Sequence, residues 1–93
     1  PELLGKKNRM WDYVFIDGNH REDATLRYTE MLLPHMSSGG IIVYDDISWS
    51  PGMYRAWQQI TQIPEISVSI DLLSMGVCFV KRIQVKEHFC LWM

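Results

Sequence analysis

Two short apolar runs in the sequence, "YVFI" and "IIVY", are each followed by side chains that could do chemistry. The candidate residues are Asp17, Gly18 and His20 after the first run and Asp45 and Asp46 after the second. Carboxylates accept hydrogen bonds and bind cations, and an unperturbed histidine changes charge near neutral pH. A fold that brings the ends of the two runs together would therefore build one polar site from distant segments.

The first part of the chain predicts a strand followed by a helix. The segment Trp11–Asp17 is rich in aromatic and β-branched residues and is apolar on both faces at its centre, as in a strand that is covered on both sides. Helical spacing starts at Asn19, and Glu22 follows three residues later as in a capping box. Four residues share one face of this helix: Ala24, Tyr28, Met31 and Leu32. Pro34 is expected to end or distort the helix.

A second strand and a second helix are expected next. The stretch "SSGG" at 37–40 predicts a connection, and Ile41–Asp45 predicts another covered strand. Ser50 is a helix cap in this interpretation, and Pro51 occupies the first helical position. The inward stripe of the helix is expected to contain Met53, Ala56, Trp57 and Ile60.

The last part of the chain completes the fold class. The alternating segment 65–73 and the segment 76–82 predict two strands, with "IQVK" as an extension of the second, and the short turn between them makes the pair antiparallel. The order β-α-β-α-β-β predicts an α/β fold, with a parallel sheet packed against crossover helices and a closing antiparallel hairpin. Ligands of open α/β sheets bind at the carboxyl ends of the strands, so Asp17 and His20 are expected at the functional edge.

Length and composition limit the class of protein. With 93 residues, of which 47% are hydrophobic and 22% charged, the chain fits a single globular domain with a modest core. The net charge of -2, without a basic stripe, argues against nucleic acid as a partner. We expect no membrane span and no signal peptide, and hence a cytoplasmic location. The two cysteines, Cys78 and Cys90, show neither metal-ligand spacing nor a disulfide framework.

The signatures "IDGNH" and "GGIIVYDD" resemble a known family. With their separation and the closing hairpin, they are similar to the carboxyl-terminal half of a class I S-adenosylmethionine-dependent methyltransferase, in the subgroup with "IDG.H" after one strand and "GG.IV..D" through the next. The resemblance covers nearly all of residues 11–82. It implies a Rossmann-like sheet of seven strands in the order 3-2-1-4-5-7-6, of which this chain would supply strands four to seven.

By the same resemblance, residues 1–93 form a single partial methyltransferase domain whose amino-terminal cofactor-binding half is absent. The glycine-rich turn that holds the cofactor in the family does not occur here, because Gly39 and Gly40 enter a strand and do not open a helix. The missing initiator methionine fits an excised piece or a processed product. The fragment alone is therefore expected to bind S-adenosylmethionine weakly or not at all and to be inactive.

The resemblance also implies roles for individual residues. Asp17, Gly18 and His20 would contact the cofactor, and Asp17 and His20 would take part in methyl transfer to a hydroxyl of a small-molecule substrate. Asp17, Asp45 and Asp46 match the acids that bind a divalent metal in catechol-type O-methyltransferases, and carboxylates at two strand ends suit Mg²⁺. One departure is that these enzymes usually carry Asn at the position of Asp46.

Each of these roles has a structural alternative. The two acids Asp45 and Asp46 could open a loop and accept hydrogen bonds from nearby backbone groups. His20 could act as a general base, orient Asp17 by a hydrogen bond, or point into water from the first turn of a helix. The aromatic side chain of Trp49, just beyond the acids, could line a substrate or cofactor pocket.

Other functional classes remain open at this level. A non-catalytic remnant or binding module would keep the sheet without the activity. A phosphoacceptor receiver domain also gathers acids at strand ends, but its acid pair precedes the acceptor Asp, which is the reverse of the order here. If three strands are missing, the outer edge of Trp11–Asp17 has unpaired backbone groups, and we expect a homo-oligomer that pairs through it.

Overall fold

The computed structural model describes residues 10–17, 22–81 and 86–91. Its elements in chain order are β1 (Trp11–Ile16), α1 (Glu22–Leu32), β2 (Met36–Asp45), α2 (Pro51–Ile60), β3 (Ile66–Asp71), β4 (Met75–Val80) and β5 (Glu87–Cys90), with a 3-10 turn at Leu33–His35. The five strands form one sheet in the order β1-β2-β4-β3-β5. The predicted α/β fold class is thus confirmed. None of the helices in the described part of the chain has the length and apolar character needed to cross a bilayer.

The directions of the strands match the expected half of a methyltransferase sheet. β1 and β2 are parallel, and β4 is antiparallel to both β2 and β3. β1, β2 and β3 therefore all run the same way, and β5 is added in parallel beside β3. The first four strands have the order and directions of strands four, five, seven and six of the expected sheet. The antiparallel β4 does not fit a receiver domain, whose sheet is parallel.

The core lies between the two helices and one face of the sheet. β1 contributes Val14 and Ile16 to this core, and β2 contributes Ile42 and Tyr44. The alternate residues of β1, β2 and β4 point the other way, towards a second face of the sheet that we call the open face. Six of its side chains are apolar or aromatic and at least partly exposed: Tyr13, Phe15, Ile41, Val43, Val77 and Phe79. Among the described residues the strands are covered on one face only, whereas the sequence predicted cover on both.

The second helix forms as its sequence predicted. Ser50 caps it by accepting a hydrogen bond from the backbone N–H of Met53 at 3.1 Å, and Pro51 stands at its start. The predicted inward stripe is confirmed, since its four members are all buried: Met53, Ala56, Trp57 and Ile60. The ring of Trp57 packs against that of Tyr44, with 5.8 Å between the centroids. The core position predicted for Trp57 is therefore correct.

The buried face of α1 differs from the predicted one. Leu32 is buried as expected, but Met31 is 49% exposed and the other buried positions are Thr25 and Thr29. Thr29 Oγ1 donates to the carbonyl of Thr25 at 3.0 Å, so the 2.8 Å contact with Tyr44 is a hydrogen bond that the tyrosine hydroxyl donates. Because every polar group in this chain of contacts has a partner, threonines can replace apolar residues on the inner face. Pro34 lies in the 3-10 turn that follows the helix, as predicted.

The stretch 37–40 is a strand segment and not the predicted connection. β2 begins at Met36, and its register with β1 shifts between the pairs Trp11–Met36 and Tyr13–Ile41. The extra residues of β2 form a bulge in which Gly39 has a φ of +87°, a conformation that glycine adopts without strain. Pairing with β1 therefore extends the strand beyond its apolar run.

The end of the described chain returns to the sheet as β5. Most of the predicted extension at 83–86 lies outside the described residues. Lys86 precedes β5, and its Nζ donates to the carbonyls of Thr61 at 3.0 Å and Ile63 at 2.8 Å, just beyond the end of α2. The carbonyl of Ile63 also accepts a hydrogen bond from the backbone N–H of Ile66 at 3.0 Å, so the lysine adds a charge-assisted hydrogen bond to this turn. It therefore fixes β5 beside α2 and β3.

We predict that Gly76→Ala destabilises the fold. A Cβ at Gly76 would lie 2.5 Å from the ring of the buried Trp57, and this overlap should lower the free energy of unfolding by about 1–3 kcal/mol. Gly52→Ala is the matched control, because its Cβ would meet only the movable side chains of Glu22 at 3.3 Å and Arg55 at 3.6 Å, and alanine favours helix by up to about 1 kcal/mol. Urea denaturation measures both. Equal unfolding midpoints for Gly76→Ala and wild type would contradict the packing described here.

Candidate functional site

Four of the described strands run in the same direction, and an aspartate stands at the carboxyl end of three of them, β1, β2 and β3. The last pair of β1 and β2 is Ile16 with Tyr44, and the residues that follow are Asp17 and Asp45. β3, which is parallel to them, ends in Asp71 at the same edge of the sheet. We call this edge the acidic rim. The parallel pairing of β1 and β2 confirms the arrangement that the sequence predicted for the backbone of the first two acids.

Asp17 lies at the carboxyl end of β1 and its side chain is exposed. Its carboxylate is therefore available to a ligand at the acidic rim. The other two residues of the predicted cofactor contact, Gly18 and His20, lie outside the described residues, as does the predicted helix cap at Asn19. The roles assigned to Gly18 and His20 stay predictions from the sequence.

Asp45 and Asp46 open the loop between β2 and α2. Asp45 Oδ1 accepts a hydrogen bond from the backbone N–H of Asp46 at 3.0 Å, and the carbonyl of Asp46 accepts one from the N–H of Trp49 at 3.0 Å. Asp46 has a φ of 58°, in the left-handed region that aspartate tolerates better than most residues. These hydrogen bonds fit the structural alternative to metal binding, in which the two acids open a loop and accept hydrogen bonds from nearby backbone groups.

The described residues provide no group of three or more His, Cys, Asp or Glu side chains that could hold a metal ion. Asp17, Asp45 and Asp46 are all within the described part of the chain. Their arrangement therefore does not fit the Mg²⁺ site implied by the resemblance, which requires several oxygen ligands around one point. The metal prediction gains no support from the structure.

Asp71 is a rim residue that the sequence interpretation missed. It is 0% exposed; its Oδ2 accepts a hydrogen bond from Tyr54 Oη, and its Oδ1 accepts one from the backbone N–H of Leu73 at 2.8 Å. The hydrogen bond to Asp71 is the largest cause that raises the pKa of Tyr54 to about 12. The available signal was that "ISVSID" ends in an acid, like the first two strands. Asp71 connects the end of β3 to α2.

An open cleft lies next to the acidic rim, at the start of α2. It has a volume of about 350 Å³, and we call it the aromatic cleft; its lining residues are Ser48, Trp49, Ser50, Pro51, Tyr54 and Leu73. Trp49 is 62% exposed, so its ring forms an accessible wall. None of these lining side chains carries a charge at neutral pH. A planar or apolar molecule with few polar groups fits such walls.

A second cleft of about 590 Å³ lies at the opposite end of the sheet. Its lining comes from the segments before β2 and β3: Glu30, Leu33, Pro34, Ile63, Pro64 and Glu65. It is larger than the aromatic cleft but lies far from the acidic rim. Because ligands of open α/β sheets bind at the carboxyl ends of the strands, the aromatic cleft is the stronger candidate site.

Comparison with known proteins identifies the family. A family model described as a methyltransferase domain matches residues 1–47, which is half of the chain and includes β1, α1, β2 and both Asp45 and Asp46. The chain therefore belongs to the methyltransferase domain family. No curated protein and no solved structure matches it. The match supports the methyltransferase resemblance, and the subgroup with "IDG.H" stays a prediction.

We predict a pH dependence of stability that arises from Tyr54. Its pKa is about 12 in the folded chain and near 10.0 when unperturbed, so the unfolded chain loses this proton first as the pH rises. The stabilisation is fully present below pH 10 and is lost between about pH 10 and 12. Tyr54→Phe should therefore show a smaller fall of the urea midpoint across this range than wild type.

Tyr13→Phe serves as the control, because this tyrosine is exposed on β1. The urea midpoint of this variant should fall across the same pH range by as much as that of wild type. The buried Tyr44, whose pKa burial raises, contributes equally to all three proteins. An equal fall of the urea midpoint in wild type and Tyr54→Phe would contradict the hydrogen bond to Asp71.

Proposed function

We propose that this chain forms the carboxyl-terminal half of an S-adenosylmethionine-dependent methyltransferase domain that methylates a hydroxyl oxygen of a small molecule. The observation that carries the proposal is the parallel pairing of β1 and β2, which sets Asp17 and Asp45 next to each other in a chain of this family. The strand order and the antiparallel β4 support the same assignment.

The open face supports the proposal of a partial domain. Tyr13 is 57% and Phe15 45% exposed, and both belong to β1, which is an edge strand of the described sheet. Large exposed apolar patches are uncommon on free-standing soluble domains. In two-sided α/β domains such a face is covered by helices, so we propose that further segments of the methyltransferase domain cover it.

The exposed carboxylate of Asp17 fits a role in cofactor binding. S-adenosylmethionine, when bound, supplies a methyl group on a positively charged sulfur. A carboxylate at the rim attracts positive charge and accepts charge-assisted hydrogen bonds, for example from an amino group. Asp17 would thereby hold the cofactor in position, while the proton of the acceptor hydroxyl would go to His20 as general base.

The aromatic cleft fits the acceptor molecule. Trp49 and Pro51 provide apolar walls beside the loop that Asp45 and Asp46 open. The hydroxyl of Ser48 donates to the carbonyl of Leu73, and that of Ser50 caps α2, so both polar groups have structural partners. The cleft would therefore orient its ligand mainly by shape, and alignment of the acceptor oxygen is the main contribution that a protein makes to methyl transfer. We leave a metal out of this proposal because the described carboxylates do not fit one.

We predict that the longest open reading frame containing this chain encodes an active methyltransferase. About 60 to 100 residues before Pro1 should hold two or three more β-α units and a glycine-rich turn. Isothermal titration should detect S-adenosylmethionine binding by that product, whereas residues 1–93 alone should bind weakly or not at all. In a methyl-transfer assay with small hydroxyl compounds, His20→Gln should lower kcat by about 10²- to 10⁴-fold.

Two variants complete this test. Asp17→Asn should weaken S-adenosylmethionine binding, and Glu30→Gln, an exposed acid beside the opposite cleft, should behave as wild type. A reading frame without the glycine-rich turn, or a product that binds no S-adenosylmethionine, would favour the non-catalytic binding module instead. Full activity in His20→Gln would remove His20 from the mechanism without affecting the domain assignment.

We also propose that the chain on its own self-associates through β1. The outer edge of β1 has no pairing partner among the described strands, and apolar side chains lie beside it. Two copies that pair edge to edge across a two-fold axis would satisfy these backbone groups. A homo-oligomer is therefore expected when the rest of the domain is not present to cover this region.

Sedimentation at micromolar concentration tests this proposal. Wild type should sediment as a dimer or larger species, and Phe15→Lys should shift it towards monomer, because a charge on an edge strand opposes pairing. Met31→Lys is the matched control, since Met31 is equally exposed but lies on α1. A monodisperse wild-type monomer would rule out self-association through this edge.

A further inference from the structure

β3 and β5 bring a cysteine, a histidine and a serine together, away from the residues assigned to methyl transfer. Their parallel register pairs Ser69 with His88 and Asp71 with Cys90. Ser69 Oγ and His88 Nδ1 are 2.6 Å apart and hydrogen-bonded. The other ring nitrogen, His88 Nε2, lies 3.9 Å from Cys90 Sγ, within hydrogen-bond range for sulfur. We call Ser69, His88 and Cys90 the thiol cluster.

The thiol cluster is accessible at one end and anchored at the other. Cys90 and His88 are exposed, whereas Ser69 is buried. A cavity of about 280 Å³ adjoins the imidazole; its lining residues are Tyr54, Trp57, Gln58, Thr61, Gln62 and His88. The buried serine can hold the ring in place, and the cavity leaves room for a small molecule beside it.

We propose that Cys90 is a modification site that reacts with small electrophiles, in particular low-molecular-weight disulfides, and that His88 accepts the proton of its thiol. When Ser69 Oγ accepts the hydrogen bond from Nδ1–H, the neutral ring presents an unprotonated Nε2 to Cys90 Sγ. A nucleophile beside a base that a third group orients is a general arrangement for activating thiols. Cys90 is the reacting group, His88 its base and Ser69 a positioning residue.

The reaction is a thiol–disulfide exchange. The proton of Cys90 moves to His88 Nε2, and the resulting thiolate attacks one sulfur of the disulfide. A new S–S bond forms at Cys90 while the S–S bond of the reagent breaks. The released thiolate takes up the proton from His88, so the products are a mixed disulfide at Cys90 and one free thiol. The disulfide is the oxidant, and no other co-reactant is needed.

The other cysteine provides an internal control. Cys78 is buried in the core, and burial raises the pKa of its thiol, so it remains protonated and inaccessible in the folded chain. Modification of Cys78 therefore reports unfolding. Two titratable groups next to the cluster, Asp71 and Tyr54, are hydrogen-bonded to each other and are the same in every variant below.

The test measures modification of the 93-residue chain near neutral pH by iodoacetamide and by glutathione disulfide, with mass spectrometry to assign each adduct. Cys90 should react faster in the folded chain than in the same chain unfolded in urea. His88→Gln should lower the folded rate by about tenfold, and Ser69→Ala should lower it less because the base remains. Glu87→Gln, an exposed neighbour on β5, should react as wild type.

Each result of this experiment either supports the proposal or overturns it. Equal Cys90 rates in wild type and His88→Gln, with Cys78 unmodified in both, would overturn it. If Cys78 reacts in His88→Gln, that variant is unfolded, and the test then depends on the wild-type chain alone. A Cys90 rate in the folded wild-type chain that is equal to or below its rate in urea would also overturn the proposal. The inference is independent of methyl transfer, because neither His88 nor Cys90 has a role in that reaction here.

Discussion

β1 and β2 lie side by side and run in the same direction, so the chain must cross from the end of one strand to the start of the other. α1 lies within this crossover, and α2 lies within the next one, which leads from β2 to β3. Both crossovers advance across the sheet in the same direction. Because parallel crossovers are right-handed, both helices fall on the same face. The parallel pair thus determines the acidic rim, the one-sided core and the open face.

The features set by local sequence were predictable. α2 has a cap at Ser50, a proline at its start and an apolar stripe that includes Trp57, and the structure confirms each. The strand directions followed from the alternation of strands and helices and from the short turn before β4. The features that depend on distant partners were not predictable. The bulge at 37–40 requires β1 beside it, and the burial of Thr29 requires the hydroxyl of Tyr44.

The candidate site also has features that could be predicted from the sequence and features that could not. Asp17 and Asp45 were predicted at one edge because strand-end positions follow from topology. The metal site implied by the resemblance gained no support, because a strand order does not specify how three carboxylates point. Asp71 was missed since burial of an acid depends on a donor such as Tyr54, seventeen residues earlier. The family match ends at residue 47, so all the lining residues of the aromatic cleft lie outside the matched segment.

The site and the methyltransferase interpretation both depend on the direction of β1 relative to β2. Nuclear Overhauser effects between backbone protons of the isotope-labelled chain measure it directly. Parallel pairing predicts contacts that advance together along the two strands, from Tyr13 with Ile41 to Phe15 with Val43. Contacts that run in opposite directions, or no contacts between these two segments, would contradict it.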